Sequence, residues 1–513
     1  MKRGIIAIAV SFMAFTGMLQ AQNMYDALRF SQEFYSGTAR SMGFGNAMVS
    51  LGGDAGALAY NPAASALYKY TELAFSLGYY NNMNNETFLG NTFKNSKGNF
   101  EISNVSVIQP FSTGYYKGLT GISFSIAFNT VNDYTFMNSV SGSNASSSYL
   151  ASLAASIPKG VTPDDLTMTE SNPYRPFDYT NASWESILGW NTGLIDTTAS
   201  FNGYLGATEN IGSGKPVLGG RLNQKFYNSR SGTSNNVAFN FSGTVDDIFY
   251  FGLNLNIKSI NYYQLSVFSE EAEDPSKFET GFRDFKTQYS QSTSGLGVSL
   301  SAGFIYKPVA GLSIGGSISS PTWLSMKDTW DISMSGYTSI YKGQSLSSPM
   351  GVYNYHITTP LKWNLGVGYI FGGRVVLALD YEGVNYSGAV MSDANYNRNS
   401  FVDENNGITN TFKTVSNFRF GAEFRATPVF YIRAGYNYYD SSIRDFDNSR
   451  HYACVGLGYR SQSGFFFDLA FQMQCNRNSE SYTLYNSYGG VNAPVLTESS
   501  NNLRALMSIG IIF

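Results

Sequence analysis

The sequence predicts an all-β protein, a transmembrane antiparallel β-barrel of about fourteen strands with an N-terminal hatch, or plug, inside the lumen. From about residue 70 onward, apolar side chains alternate with small or polar ones at a period of two. Only 13% of the 513 residues are charged and 16% are aromatic, whereas soluble domains carry about 25% charged residues. We expect a signal peptide over 1–21, a hatch over 22–69 and a barrel over 70–513.

The first 21 residues have the layout of a secretory signal peptide. Lys2 and Arg3 precede an apolar run over 5–19, and Ala21 provides a small residue for cleavage. No other segment approaches the roughly 18 apolar residues that a membrane-spanning helix needs. The sequence therefore predicts export and excludes helical membrane spans.

Residues 22–69 do not alternate and are rich in glycine and alanine, as in "LGGDAGALAYNPAASAL" over 51–67. Small residues permit close backbone packing in a confined lumen, which predicts a plug. Pro62 fixes its own φ and disfavours helix at Asn61, so Asn61-Pro62-Ala63 predicts a rigid corner. That corner is either an ordinary fixed turn or the part that positions a gate beside an opening in the wall.

The barrel strands are predicted from alternation such as "GISFSIAFNT" over 121–130, where Ile122, Phe124, Ile126 and Phe128 share one face. A soluble sandwich would also alternate, but its outer face is usually well charged. In a membrane barrel the apolar side chains face lipid and closure satisfies every backbone polar group. The low charge therefore favours the barrel.

The connections alternate in length, as the two rims of an outer-membrane barrel do. Tight joins occur at Gly372-Gly373 and Thr427-Pro428. Long polar segments are predicted near 82–99, 131–232, 263–289, 327–355, 388–411 and 477–501. The strands between them number about fourteen, an even count as bacterial outer-membrane barrels prefer.

The longest connection contains two amphipathic stretches, "SSSYLASLAASIP" and "SWESILGWNTGLI". In the second, Trp184 and Leu188 fall on one helical face. Such helices either fold the loop over the barrel mouth or form an external apolar groove that collects a hydrophobic ligand.

The last segment, "LRALMSIGIIF", alternates and ends on Phe513. It looks like the terminal signal that the outer-membrane barrel assembly machinery reads, so this machinery is an expected partner. A soluble domain ending in this strand would leave an open pairing edge, which proteins normally avoid.

The segment "RSMGFGNAMVSLGGDAGALAYNPAASAL" over 40–67 resembles the hatch of outer-membrane long-chain fatty acid and hydrophobic compound transporters of the FadL/TodX type, OmpP1-like. The matching positions are Met42-Gly43 to Gly45, Asp54-Ala55 and Asn61-Pro62-Ala63. Gly53, Gly56 and Ala64 depart from residues common in the family.

The resemblance implies a fourteen-stranded barrel in the outer membrane of a Gram-negative bacterium, acting as a monomer. It implies uptake of hydrophobic molecules, foremost long-chain fatty acids and also aromatic hydrocarbons. The ligand passes from an extracellular apolar groove to a lumen site and then sideways into the outer-membrane lipid. Asp54, Asn61, Pro62 and Ala63 are the expected hatch and gate residues.

A fatty acid needs a partner for its carboxylate, and arginine binds carboxylates in bidentate fashion. By alternation Arg419, Arg425, Arg433 and Arg460 face the lumen and are candidates. The competing interpretation is a ladder of salt bridges inside the barrel, with Glu423 opposite Arg433 across a tight turn.

The sequence gives no support for an enzyme, a cofactor or a metal site. "MGFGNAM" and "GSGKP" are broken nucleotide-binding patterns, and only two histidines are present. With 33 basic and 36 acidic residues, the charge balance does not indicate a nucleic-acid partner. The alternative function is a FadL-like barrel that serves as a component of a protein secretion apparatus.

Overall fold

A computed structural model describes residues 23–198, 201–488 and 492–513 of the chain. The predicted signal peptide over 1–21 lies outside the described residues. Within those described ranges, none of the helices has both the length and the apolar character needed to cross a bilayer.

The wall is a closed antiparallel β-barrel of fourteen strands, as predicted. Four strands continue after a short interruption, and each of these is given as two ranges. In chain order the strands are Glu72–Phe88, Asn91–Ser112, Leu119–Asp133 with Phe136–Asn144, Leu222–Val245, Phe249–Ala272, Asp284–Val309, Leu312–Ser319 with Trp323–Tyr337, Gly351–Thr358 with Lys362–Phe371, Val375–Asn385 with Val390–Asp393, Thr414–Arg425, Phe430–Tyr439, Arg450–Arg460, Phe465–Gln474 and Val495–Ile512.

The first and last strands close the barrel. They pair antiparallel in unbroken register from Glu72 opposite Ile512 to Phe88 opposite Leu496. The C-terminal segment is thereby a paired wall strand, and no free edge remains at this seam.

Alternation places the two faces as the sequence predicts. On the tenth strand Phe418, Phe420 and Phe424 are exposed on the outside, whereas Arg419 and Glu423 are buried inside. Outward apolar side chains form a band around the barrel, the surface that lipid requires. The barrel is therefore a transmembrane barrel.

The prediction of long loops at 82–99, 263–289 and 327–355 is wrong. The first is a continuous hairpin with a two-residue turn at Leu89-Gly90, and the second is largely strand up to Ala272 and again from Asp284. The last of these is strand up to Tyr337, over Lys342–Ser347 and again from Gly351. The fifth strand has 24 residues, whereas about 9–11 cross a bilayer. These strands project beyond the membrane, and their outer ends mix polar and apolar residues on each face, so no regular alternation marks them.

The N-terminal segment over 23–71 is called the hatch here. It contains helices α1 (Met24–Ser31) and α2 (Ala39–Gly43) and the 3₁₀ turns Ala55–Ala59 and Pro62–Leu67. Asn23, Thr38, Asp54 and Asn61 each cap one of these elements with a side-chain oxygen. Most of its residues are buried against inward-facing residues of the wall.

The long connection between the third and fourth strands folds over one end of the barrel. It contains α3 (Tyr149–Ser156), α4 (Pro163–Leu166), α5 (Arg175–Thr180) and α6 (Trp184–Asn191), followed by small hairpins at Ile195–Thr198 with Phe201–Gly206 and Glu209–Gly212 with Lys215–Leu218. Another helix, α7 (Val402–Thr411), lies between the ninth and tenth strands. Further short elements are Pro275–Lys277, Lys342–Ser347, Tyr386–Gly388, Arg398–Phe401 and Asn478–Thr483.

Helices α3 and α6 bury their apolar faces against the ends of the wall strands, and we call this assembly the cap. The buried Glu270 of the fifth strand accepts hydrogen bonds from the Ser148 hydroxyl at 2.6 Å and the Tyr149 amide at 2.7 Å. This carboxylate lies at the start of α3, where the helix dipole favours negative charge. The cap is thus fastened to the wall.

Candidate functional site at the hatch and the wall break

Three neighbouring strands are interrupted at one level of the wall, over residues 320–322, 359–361 and 386–389. We call this the wall break. The ladder between the seventh and eighth strands stops at Ser319 opposite Lys362 and resumes at Trp323 opposite Thr358. Pro321 and Pro360 lie in the gap, and proline has no amide hydrogen to donate to a ladder.

Beside the wall break, the outer surface carries an apolar depression of about 1040 Å³. Its apolar lining side chains face outward, toward lipid. They include Phe239, Phe241, Leu253, Leu300, Ile318 and Leu361, each more than a third exposed. This depression can accept a hydrocarbon chain without exposing it to water.

On the inner side of the same wall lies a small polar cavity of about 50 Å³. Its lining includes Glu33 of the hatch, Lys258 and Pro360. Ser301 and Ser320 belong to the lining of both the cavity and the outer depression. One layer of small side chains therefore separates the lumen from the lipid-facing surface at this point.

The inner cavity contains a charged cluster centred on Glu33. Lys258 Nζ lies 3.0 Å from Glu33 Oε1, and the Lys362 ammonium contacts the other carboxylate oxygen. Tyr35 also donates its hydroxyl to Glu33 Oε2 at 2.7 Å. Burial raises the pKa of Glu33, but the charges of Lys362 and Lys258 outweigh it and hold that pKa well below its usual range. Glu33 is thus a carboxylate that ties the hatch to the fifth and eighth strands.

The Asn61-Pro62-Ala63 corner lies against the wall close to this site. Asn61 Nδ2 donates to the Phe304 carbonyl at 2.9 Å and to the Val49 carbonyl at 2.7 Å. Its Oδ1 accepts from the Ala63 amide at 3.0 Å, which caps the 3₁₀ turn. The Pro62 carbonyl accepts from Asn240 Nδ2 at 2.8 Å.

Two wall glycines form the seat for this corner. Gly252 and Gly303 are paired across the fifth and sixth strands. A Cβ at Gly252 would collide with the Pro62 carbonyl, and one at Gly303 with the Asn61 side chain. Such close backbone contact requires glycine at both positions.

Asp54 has a local role inside the hatch. It is buried, and its Oδ1 accepts from the Thr38 hydroxyl at 2.6 Å and from the Gly56 amide at 2.9 Å. These bonds join the start of α2 to the first 3₁₀ turn. Asp54 therefore holds the hatch together without reaching the charged cluster.

The arginines proposed from the sequence are engaged in ion pairs or lie at the rim. Arg433 donates to Glu423 at 2.5 Å, which is the predicted cross-turn pair, and also to Asp468 of the thirteenth strand at 2.6 Å. Arg419 donates to Glu382 at 3.1 Å. Arg425 is exposed at the Thr427-Pro428 turn and donates to the Pro428 carbonyl at 3.0 Å.

Trp184 and Leu188 belong to the buried cluster of the cap. Trp184 is 3% exposed and Leu188 is fully buried. The Trp184 ring stacks on Phe177, with centroids 5.5 Å apart. The arrangement corresponds to the interpretation in which the helices fold over the barrel mouth.

Comparison with solved structures identifies the architecture. A Pseudomonas aeruginosa FadL homologue matches with a TM-score of 0.55 and 12% identity, over 94% of this chain and 99% of that chain. The P. putida toluene transporter TodX matches with a TM-score of 0.53 and 12% identity, over 94% and 99% respectively. This chain has the FadL/TodX fold.

The likeness to the FadL/TodX fold rests on structure. No family model matches the sequence, and no curated relative matches it either. At 12% identity the comparison establishes the fold, and the roles of the site residues follow from the contacts that this chain makes.

Sequence reasoning missed the Glu33, Lys258 and Lys362 cluster, because these residues are far apart in the chain. Pro321 and Pro360 gave a usable signal, since proline within a strand pattern marks an edge or an interruption. Together these two prolines would have predicted an interruption in the seventh and eighth strands.

Proposed function

We propose that this protein is a FadL/TodX-type channel in the outer membrane of a Gram-negative bacterium, where it takes up hydrophobic molecules. The fold, shared with a FadL homologue and a toluene transporter, supports this role. A water-filled pore is a poor solvent for apolar molecules, so a plugged barrel with an apolar pathway suits them.

The observation that carries the proposal is the wall break between a lumen cavity and an outer apolar depression that share Ser301 and Ser320. A hydrophobic molecule leaving here passes directly into the lipid. The hatch corner of Asn61, Pro62 and Ala63 is the proposed gate beside this exit, and Asp54 caps the 3₁₀ turn that precedes it.

Uptake begins in this proposal at the cap. Trp184 and Leu188 are buried, so they contact ligand only when the cap opens. Long-chain fatty acids are the proposed principal ligands and aromatic hydrocarbons the secondary ones. The channel acts as a monomer, and Phe513 directly follows the strand through which the barrel assembly machinery inserts it.

The lateral exit is tested by the double substitution Pro321→Val/Pro360→Val. Both positions gain an amide hydrogen that can join the ladder and narrow the wall break. Uptake of radiolabelled hexadecanoic acid by cells producing the variant should slow about tenfold, equivalent to roughly 1.4 kcal/mol of added barrier. Pro110→Val, in the second strand, is the matched control and should leave uptake unchanged. Equal uptake by the double variant and the wild type would exclude an exit at this position.

The ligand class is tested by mass spectrometry of small molecules that co-purify with the barrel in mild detergent. A stoichiometric apolar compound, absent from micelles prepared from membranes lacking the protein, supports uptake. A barrel that is reproducibly empty of such compounds and carries a protein partner contradicts uptake and favours the secretion role.

A further inference from the structure

We propose that Lys258 and Lys362 form a binding site for the anionic head of an amphipathic carboxylic acid, and that Glu33 of the hatch occupies it until the ligand displaces it. The ligand's tail then lies through the wall break in the outer depression. This inference rests on the proposed uptake function and names its ligand chemistry.

The polar half of the site is already built around a carboxylate. The Lys258 side chain is 3% exposed and that of Lys362 is 15% exposed, and both bind the Glu33 carboxylate group. The hatch supports the same ammonium groups, since the Phe30 carbonyl accepts from Lys258 Nζ at 3.0 Å and the Tyr35 hydroxyl lies 3.3 Å from Lys362 Nζ. A ligand carboxylate has the same charge and geometry as the group it replaces.

Other nearby charges do not take over the role of Glu33. Glu382 lines the same cavity, but it is already bound by Arg419 at 3.1 Å and Asn417 at 2.9 Å. Displacement of Glu33 therefore leaves two largely buried ammonium groups with an unfilled requirement for an anion. An uncharged ligand cannot meet that requirement.

The apolar half of the site lies directly across the wall. The inner cavity, about 50 Å³, holds a head group but not a long chain, whereas the outer depression of about 1040 Å³ is lined mainly by hydrocarbon side chains. Ser301 and Ser320 line both spaces. A molecule with an acidic head and an apolar tail therefore fits with its head in the inner cavity and its tail in the outer depression, and not the other way round.

Displacement of Glu33 also couples ligand binding to the hatch. Glu33 follows α1 and precedes the turn into α2, and it bonds to the fifth and eighth wall strands. When a ligand carboxylate takes its place, the hatch loses both of these ties. Acidic ligands thus loosen the plug at the point where they leave.

The test compares binding of radiolabelled hexadecanoic acid and hexadecan-1-ol to the purified full-length barrel in amphipol at pH 8. The wild type should prefer the acid about tenfold, and Lys258→Met/Lys362→Met should abolish the preference while retaining the alcohol. Glu33→Gln removes the competing anion and should strengthen acid binding about tenfold without affecting the alcohol. Lys225→Met, an exposed lysine paired with Glu271, is the control and should match the wild type.

The outcomes separate this inference from the proposed function. Equal binding of acid and alcohol by the wild type, or a preference that survives the double substitution, overturns the head-group site but leaves uptake standing. A wild type that binds neither compound overturns both. If the double variant does not fold, Glu33→Gln decides: unchanged acid binding overturns the inference, and a gain confined to the acid supports it.

Discussion

Asn61 joins the hatch to the wall through a single amide group. Its two donated hydrogen bonds and one accepted bond connect the hatch backbone, the 3₁₀ turn and the sixth strand. Because the residue is fully buried, water cannot replace these bonds if the side chain is removed. A short polar side chain thus determines where the plug sits.

Asn61→Ala should loosen this corner by about 2 kcal/mol, the effect of a lost cap plus buried groups left unpaired. The measurement is hydrogen exchange of amides over 55–67, which should speed up about thirtyfold relative to wall amides. Asn395→Ala, on an exposed loop, is the control. Exchange as slow as in the wild type would show that the corner is held by packing alone.

Arg433 is a structural residue in our interpretation, since Glu423 and Asp468 engage its guanidinium. Arg433→Met should lower the free energy of unfolding by about 2 kcal/mol; the cost stays below that of a fully broken buried pair because Arg40 and Arg460 remain beside the two carboxylates. Urea unfolding measures this change. Hexadecanoic acid affinity should stay constant, and a specific loss of affinity would instead make Arg433 a ligand anchor.

The cap is the element whose stability should depend on pH. Glu185 lies in the first turn of α6 and is only 4% exposed. Burial raises the pKa of its carboxyl to about 7. The closed cap therefore keeps the Glu185 carboxyl neutral below about pH 7.

The cap should therefore open more readily as pH rises from roughly 4.5 to 7, because in this window the opened form releases the Glu185 proton first. The stability present below about pH 4.5 should fall by up to about 3 kcal/mol and then stay constant above pH 7. Hydrogen exchange of α3 and α6 at pH 5 and 8, corrected for intrinsic rates, measures this. Glu185→Gln should reduce the dependence by about half, because burial also raises the pKa of Glu270, at the start of α3, to about 7. Glu271→Gln should leave the dependence unchanged, and a pH-independent wild-type cap would contradict the assignment.

At the scale of the whole molecule, the lumen is filled in layers. The cap cluster closes one end of the barrel. Helix α1 forms the next layer, where it packs against wall residues and α7. The rest of the hatch forms the last layer, near the short turns. A barrel filled in this way does not conduct freely, so passage requires parts of the filling to move.

Deletion of residues 22–69 should turn the plugged barrel into a leaky one. Swelling of proteoliposomes in small sugars should accelerate at least about tenfold, since a fourteen-stranded barrel without a plug leaves room for water. The Glu185→Gln variant, with an intact hatch, is the control. Unchanged swelling by a correctly folded deletion variant would mean that the hatch is not the plug.

Sequence reasoning succeeded where one physical requirement acts on many consecutive residues. Lipid on one side and the lumen on the other impose the alternation, which places Phe420 outside and Arg419 inside. It failed at 82–99 because polar residues dominate both faces of that hairpin, and its apolar contacts with the cap cluster are confined to Phe88, Leu89 and Phe93 near the turn. Glu33 and its lysines were out of reach, since their meeting depends on how α1 docks in the finished barrel.

The seam between the first and last strands also sets the order of folding. Residues 72 and 512 pair only after the whole chain is available, and such distant pairing is slow because a long loop must close first. The hatch precedes the first strand and lies inside the finished ring. A hatch that settles on the curved sheet while the ring is still open is enclosed when the first and last strands pair.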